Sequence, residues 1–493
     1  MSIDKLPTRI PGFDQIAMGG LPRGRATLVR GPAGSGKTLL AAQFVAEGAA
    51  SGESGVFVTL AESPADIRQN VASLGWDVAS WEAAKRWAFV DASAWHSPID
   101  QRGASGVEGL LARIEHAVEG VGARRVAVDP LNVALGRVGR RGAVRGELLR
   151  LLSGLKRLGV TSVMTSEHPD EEYALEEFVV DNVIVLRNTL EDEKRRRTLE
   201  ILKLRGAPHQ KGEFPFIVQP SSGIVVSPLS AIQLTQKSSY VRVTSGNSDL
   251  DELCGGGLFR DSVTLVSGAT GAGKTLISTE FIGGGTSVGE RCLLLGYEES
   301  RDQLFRNAMG WRRDFAQMER EGLLRVSCVY PEAKPLEEHL LDIKRSIDEL
   351  APSRVALDSL SALKRVSTAR GFREFAIDLT AFLKEREIAS LLTATSPALL
   401  GSPSVTDSHI STIADTIILL RYVELYGEMH RGMTLLKMRG SPHDRQIREF
   451  SIDDMGMHIG EPFRNLTGIL AGNPRQALAG ERDRVPRLHD REA

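Results

Sequence analysis

Cysteine is nearly missing from this chain of 493 residues. The three present, Cys254, Cys292 and Cys328, form no CxxC and cannot all pair. A disulfide scaffold and a zinc-cluster framework are thereby excluded, and a reduced, cytoplasmic protein is the expected setting. Long apolar runs are also missing: none approaches the ~18 residues that span a bilayer, so no membrane role is expected. The opening MSIDKLPTRIPG lacks the apolar centre of a secretory signal. Charge of one sign is absent, since 61 Lys+Arg face 63 Asp+Glu and the pI is near 6.6. That is no electrostatic footprint of a nucleic-acid coat. Aromatics reach only 5%, which argues against the stacking platforms of single-strand binders. What is present is an ordinary globular balance, 42% hydrophobic and 25% charged, in a chain long enough for two or three domains.

The chain repeats itself. GGLPRGRATLVRGPAGSGKT ends at Thr38 and GGLFRDSVTLVSGATGAGKT ends at Thr275, 237 residues later. The same offset relates Lys37 to Lys274 and Glu62 to Glu299; it becomes 229 for Asp129/Asp358 and 234 for Lys203/Lys437 and Arg205/Arg439. Drift of a few residues means loop insertions between two copies of one domain, each far larger than a solenoid repeat. The expected boundaries are 1–226 and 241–472, a polar linker at 227–240 and a mobile tail at 473–493. In each copy short apolar runs alternate with helical patterns. ATLVRG, VFVTL, RRVAVD, TSVMTSE and NVIVLR read as buried strands, and VTLVSG, RCLLLGY, SRVALD, ASLLTAT and TIILLR are their counterparts. This is an α/β pattern: a mostly parallel sheet covered by helices on both faces. RRRTLEILKLRG and GMTLLKMRGSPH suggest antiparallel edge strands.

Gly31–Thr38 and Gly268–Thr275 both match GxxxxGK[ST] between a strand and a helix, the context a phosphate loop requires. Backbone N–H groups of such loops surround phosphates, and the helix N-terminus adds positive potential. The candidate ATP-binding residues are therefore Gly31, Pro32, Ala33, Gly34, Ser35, Gly36, Lys37, Thr38 and Leu39. In the second copy they are Gly268, Ala269, Thr270, Gly271, Ala272, Gly273, Lys274, Thr275 and Leu276. The lysines should reach the β/γ-phosphates and the threonine hydroxyls should ligate Mg²⁺. Asp129 and Asp358 end buried strands at the ligand edge and are expected to hold the same ion or its water. Glu62 in one copy, and Glu298 with Glu299 in the other, precede helix starts capped by Ser63 and Ser300. A carboxylate there can take a proton from a water or hydroxyl nucleophile. The bland alternative is a solvated turn acid. Lys203/Arg205 and Lys437/Arg439 lie two apart on strands, hence on one face. They suit either trans-acting contacts to a neighbour's nucleotide or an ordinary exposed strand face.

With these motifs in place, the chain resembles the KaiC family of circadian-clock ATPases and autokinases, over nearly its whole length from GFDQI to FRNLTGILAGNP. The most specific stretch is TDSHISTIADTIILLRYVELYGEM with KMRGSPHDRQIREF. The resemblance implies two RecA-like P-loop domains stacked as two rings of a homohexamer, with ATP and Mg²⁺ at subunit interfaces. It implies hydrolysis in the first ring, and autophosphorylation with dephosphorylation in the second. It makes Ser411 and Thr412 the phosphoacceptors, with Thr406, Asp407 and His409 nearby, Glu298 the base (and an Mg²⁺ neighbour), and Glu299 its partner. It adds Trp311, Arg431, Lys437, Met438 and Arg439 as nucleotide contacts in the second copy. In the first copy it adds Ser73, Lys203, Leu204, Arg205 and His209. The sequence departs from the family twice. Ala61 stands where a first glutamate is usual, and the tail lacks the apolar recruitment segment through which cyanobacterial members meet KaiA. A KaiB-like partner, and an output signalling kinase, are the expected contacts rather than KaiA. Two other classes remain open: a RecA-like recombinase or helicase, which would need basic pore loops, and a nucleotide-gated scaffold, which Ala61 would suit.

Overall fold

Two compact units, Met1–Ile232 and Gln233–Ala493, make up the chain in this computed structural model. The structure describes residues 3–93, 107–135, 141–167, 175–191, 194–227, 238–396, 410–464, 466–469 and 475–476. Most of the expected linker and tail, and Thr406, Asp407 and His409, lie outside the described residues; Arg475–Gln476 pair with Leu466–Thr467.

Each unit is built on a nine-stranded sheet. In the first the strands are β1 (Ala26–Gly31), β2 (Gly55–Thr59), β3 (Trp87–Asp91), β4 (Arg125–Asp129), β5 (Thr161–Glu167), β6 (Asn182–Glu191), β7 (Lys194–Leu204), β8 (Glu213–Gln219) and β9 (Gly223–Val226). They lie side by side as β3-β2-β4-β5-β1-β6-β7-β8-β9. In the second they are β10 (Val263–Gly268), β11 (Cys292–Gly296), β12 (Leu324–Cys328), β13 (Arg354–Asp358), β14 (Ala389–Thr395), β15 (Thr416–Leu425), β16 (Glu428–Met438), β17 (Arg448–Asp453) and β18 (Gly456–Pro462). Their order, β12-β11-β13-β14-β10-β15-β16-β17-β18, is the same. From the first-named strand to β6 or β15 all neighbours are parallel; beyond it all are antiparallel.

The ten apolar runs read from the sequence are strands, and their burial on both faces explains why they carry no alternation. One face packs on α1 (Lys37–Ala50) or α6 (Lys274–Thr286). In the first unit the other face packs on α3 (Val107–Val121) and α4 (Arg141–Arg157); in the second, on α8 (Leu336–Leu350) and α9 (Ala369–Glu385). The KLRG and KMRG strands are not edges. β7 and β16 lie inside the sheet because β8–β9 and β17–β18 extend it further. Of the strands that escaped the sequence reading, β17 and β18 are half-exposed and weakly apolar, whereas β8 and β9 are short, apolar and largely buried.

Candidate functional site: two phosphate loops and their surroundings

The phosphate loops leave the C-terminal ends of the central strands β1 and β10 and open α1 and α6. The bend needs left-handed backbone at Gly36 (φ 96°) and Gly273 (φ 105°), where a β-carbon is disfavoured. At Gly273 that carbon would also crowd Ile452 and Met457. Both lysines are buried. Lys37 Nζ donates to Pro32 O (2.9 Å), and Lys274 Nζ donates to Gly268 O (3.0 Å) and Ala269 O (2.9 Å). Burial lowers the Lys274 pKa, while Asp358 and Glu298 act to raise it. Leu276 is core on α6, and Leu39 packs at the edge of the first core.

Beside each loop a hydroxyl meets a buried carboxylate. Thr38 Oγ1 donates to Asp129 Oδ2 (2.9 Å), and Thr275 Oγ1 to Asp358 Oδ2 (2.6 Å). The second oxygen of each carboxylate accepts from Thr165 or Thr393. The Asp129 pKa is raised by burial, against the hydrogen bonds from Thr165 and Thr38. An oxygen-only pair next to a phosphate nest fits Mg²⁺, which takes few protein ligands and completes its shell with phosphate and water. No group of three or more His, Cys, Asp or Glu side chains suited to a metal occurs among the described residues.

The glutamates divide as the repeat offset implies. Ser63 and Ser300 form full capping boxes with Asp66 and Gln303, which fixes α2 (Pro64–Ala72) and α7 (Arg301–Gly310) at the strand ends. Nearly two turns into each helix an asparagine reaches back: Asn70 Nδ2 donates to Glu62 (3.0 Å) and Asn307 Nδ2 to Glu299 (2.8 Å). Both carboxyls have raised pKa values, first from burial and next from Asp129 or Asp358. Glu62 and Glu299 are therefore equivalents. Glu298 is the additional carboxylate of the second unit, in an ion pair with Arg365 (3.2 Å). Asn70/Asn307 and Thr165/Thr393 went unnoticed in the sequence, although their offsets of 237 and 228 follow the repeat.

The remaining candidates gather elsewhere. Lys437 Nζ donates to the carbonyls of Ser411 (2.9 Å) and Ala414 (2.7 Å), and Arg439 donates to Thr412 O (3.0 Å) and pairs with Asp415 (3.5 Å). Lys203 Nζ likewise holds the carbonyls of Glu177 (3.2 Å) and Val180 (2.7 Å), and Arg205 pairs with Asp181 (3.6 Å). Burial lowers both lysine pKa values. Where the second unit has Ser411 and Thr412, on the one-turn α10 (Ile410–Ile413), the first has Glu177 and Phe178 on α5 (Leu175–Val179). Leu204 and Met438 are buried between the cations. His209 is half-buried, and Ser73 caps α2 by donating to Asn70 O (2.7 Å). Trp311 ends α7 against the core, and Arg431 lies 5.8 Å from the Tyr422 ring centroid.

The cations and the Ser411/Thr412 turn are not near their own phosphate loop. β15 runs parallel to β10 with Thr416 beside Thr264 and Leu420 beside Gly268, and Met438 is paired with Thr416. Thr416 therefore lies four residues from the loop end of the sheet, about 13 Å at ~3.3 Å per residue. Ser411 and Thr412 precede it.

A family model described as the KaiC ATPase matches the chain twice, at residues 6–231 and 243–463. Circadian clock protein KaiC3 of Synechocystis sp. is 57% identical over 99% of this chain and 98% of its own length. The circadian clock oscillator proteins KaiC of Thermostichus vulcanus and Synechococcus elongatus are each 48% identical over 99% of this chain and 95% of theirs. Two units of one topology, each with a phosphate loop, a Thr–Asp pair and an Asn-held glutamate, together with these matches, place the chain in the KaiC family of ATPases.

Proposed function

We propose that the chain is an ATP-hydrolysing homohexamer whose second unit is a serine/threonine autokinase and autophosphatase. We further propose that it acts in the cytoplasm as a circadian or stress timer with a KaiB-like partner. The observation that carries this reading is the separation just described. Each unit holds its phosphate loop at one end of the sheet and its KLRG or KMRG cations at the other. One copy cannot bring both to a single nucleotide. A head-to-tail ring can, because heterologous contacts repeated by rotation close on themselves. The clock role rests on the names of the relatives.

In the second unit the acceptor oxygen of Ser411 or Thr412 attacks the γ-phosphorus of ATP held by Gly268–Thr275 of the adjacent copy. The new O–P bond forms as the bond to the β-phosphate oxygen breaks, and ADP departs. Glu298 accepts the hydroxyl proton, Glu299 stands beside it, and Lys274 balances charge on the β/γ-oxygens. Thr275 and Asp358, with Glu298, would hold Mg²⁺, which would neutralise phosphate charge when bound. In the first unit Glu62 orients the hydrolytic water, and Glu177–Phe178 offer no hydroxyl to phosphorylate.

Intact-mass and phosphopeptide analysis after incubation with ATP and Mg²⁺ tests the proposal. The expected result is phosphate on Ser411 or Thr412, absent in Lys274→Ala and in Glu298→Gln. A hexamer that binds ATP yet leaves both hydroxyls unmodified over many hours removes the autokinase. A persistent monomer with ATP at micromolar concentration removes the ring.

A further inference from the structure

Among the described residues three arginines are buried, and two of them have partners while the third has none. Arg125 is fully buried, and its guanidinium pairs with Glu53 (2.7 Å) and donates to the carbonyls of Pro7, Thr8 and Phe44. Its repeat partner Arg354 pairs with Glu290 (2.5 Å) and donates to Thr244 and Phe281. Arg421 on β15 is only 2% exposed, yet none of its three guanidinium nitrogens has a hydrogen-bond partner. An arginine does not shed its charge in a protein, so it needs a counter-ion.

The first unit shows how the position is ordinarily satisfied. Strand register places Arg187 on β6 where Arg421 stands on β15. Arg187 pairs with Glu200 (2.7 Å) on β7 and Glu213 (3.2 Å) on β8. In the second unit register puts Thr434 in the place of Glu200, and sequence order puts Ile447 in the place of Glu213. Both carboxylates are gone while the cation remains. A second orphan lies nearby. Ser396 follows β14, its N–H donates to Gly268 O (3.0 Å), and its buried hydroxyl has no partner. Gly268 is flanked in register by Thr395 and Leu420, so the next row is Ser396, Ala269 and Arg421. Side chains of that row alternate to the sheet face opposite Leu420, which packs with the α6 core. Strands two apart are separated by about 9.6 Å, a gap a guanidinium and a hydroxyl can approach from its two sides.

We propose that Arg421 and Ser396 form a binding site for a phosphate-class oxyanion on the face of the second sheet turned away from α6. Both groups can donate, and neither has a carboxylate within reach among the described residues. Burial already lowers the Arg421 pKa, the direction expected of a cation lacking its counter-charge. The site exists in the second unit alone, and its ligand is free phosphate, which ATP hydrolysis releases.

The test uses the full chain with both phosphate loops saturated by a non-hydrolysable ATP analogue, at constant ionic strength. Thermal unfolding of the second unit is followed against added inorganic phosphate. The wild-type midpoint should rise and saturate, by roughly 5–10 °C at one hundred times the dissociation constant. Arg421→Met should remove that rise. Thr434→Glu should supply the carboxylate that Glu200 gives Arg187, raising the midpoint without phosphate and abolishing the response. Sulfate should act like phosphate and acetate should not. An equal rise in wild type and Arg421→Met overturns the site. So does a rise that survives Thr434→Glu, and so does the absence of any rise once the analogue is bound.

Discussion

The two units are one architecture carrying different side chains, and their differences cluster where geometry leaves freedom. Strand order, capping boxes, the loop lysines, the Thr–Asp pairs and the Asn-held glutamates are duplicated. Around this shared frame the second unit adds Glu298 where the first has Ala61, and hydroxyls where the first has Glu177 and Phe178. Lys384 closes onto Asp415 (2.8 Å), while the matching Lys156 and Asp181 line a cavity of about 110 Å³. Glu280 on α6 replaces Gln43 on α1. The Gln43 amide accepts from Ile224 N (2.7 Å) and donates to Ser222 O (2.9 Å) and Ile224 O (3.2 Å). Glu280 accepts from Met457 N (2.8 Å) and Asn247 Nδ2 (3.3 Å). Duplication kept the nucleotide frame because its parts are positioned by the sheet. Side chains around it were free to diverge.

The sharpest way to break the comparison is at the glutamates. Glu62→Gln should lower hydrolysis in the first unit by roughly 10²–10⁴-fold, the usual worth of a general base. Glu299→Gln should cost the second unit less, because Glu298 remains. The check is single-turnover hydrolysis in backgrounds where the other unit carries a dead loop; equal losses would mean Glu298 gives no support. The loop lysines should behave alike. Lys37→Ala and Lys274→Ala should each weaken one nucleotide site roughly 100-fold, the order of a lost charge-assisted bond, reducing bound ATP from two per chain to one in equilibrium dialysis.

Glu280 sharpens the comparison through pH. Burial pushes its carboxyl up to about 7, against the pull of Arg313 and His458. Its pKa in the folded state lies above the unfolded value near 4.5, so the folded state binds the proton more tightly. The contribution is complete below pH 4.5 and is lost as pH rises to about 7, an effect on the order of 3 kcal/mol. Glu280→Gln should flatten the stability of the second unit between pH 5 and 7.5 and raise it at pH 8, read by thermal unfolding. Gln43→Glu should bring the same pH dependence to the first unit. The smallest effect is expected at the caps: Ser63→Ala and Ser300→Ala should each cost about 1 kcal/mol, with equal losses in denaturant titrations.

Much of the frame was legible before any coordinates. The phosphate loops, the strand-end aspartates and the ten buried runs follow from local pattern, and the repeat offset makes each pattern count twice. The less apolar strands were not legible, because REFSID and GMHIGEP at the antiparallel edge carry too little hydrophobic signal to separate them from loops. The equivalence of Glu62 with Glu299 was visible as an offset. What it means chemically appeared only when Asn70 and Asn307 were seen to hold those carboxyls. Arg421 carried no sequence signal, since LLRYVE looks like any strand with one charge.

Sequence by itself determined two α/β copies, each with a strand–loop–helix phosphate site, because these depend on periodicity and on residue types within one short segment. Tertiary structure decided which carboxylates are held and shifted, since burial and an asparagine eight residues away set those properties. It also put the loop and the KMRG cations at opposite ends of one sheet. It left Arg421 without the glutamates that serve Arg187, because pairing across strands depends on register, and register brings together residues that the chain keeps apart.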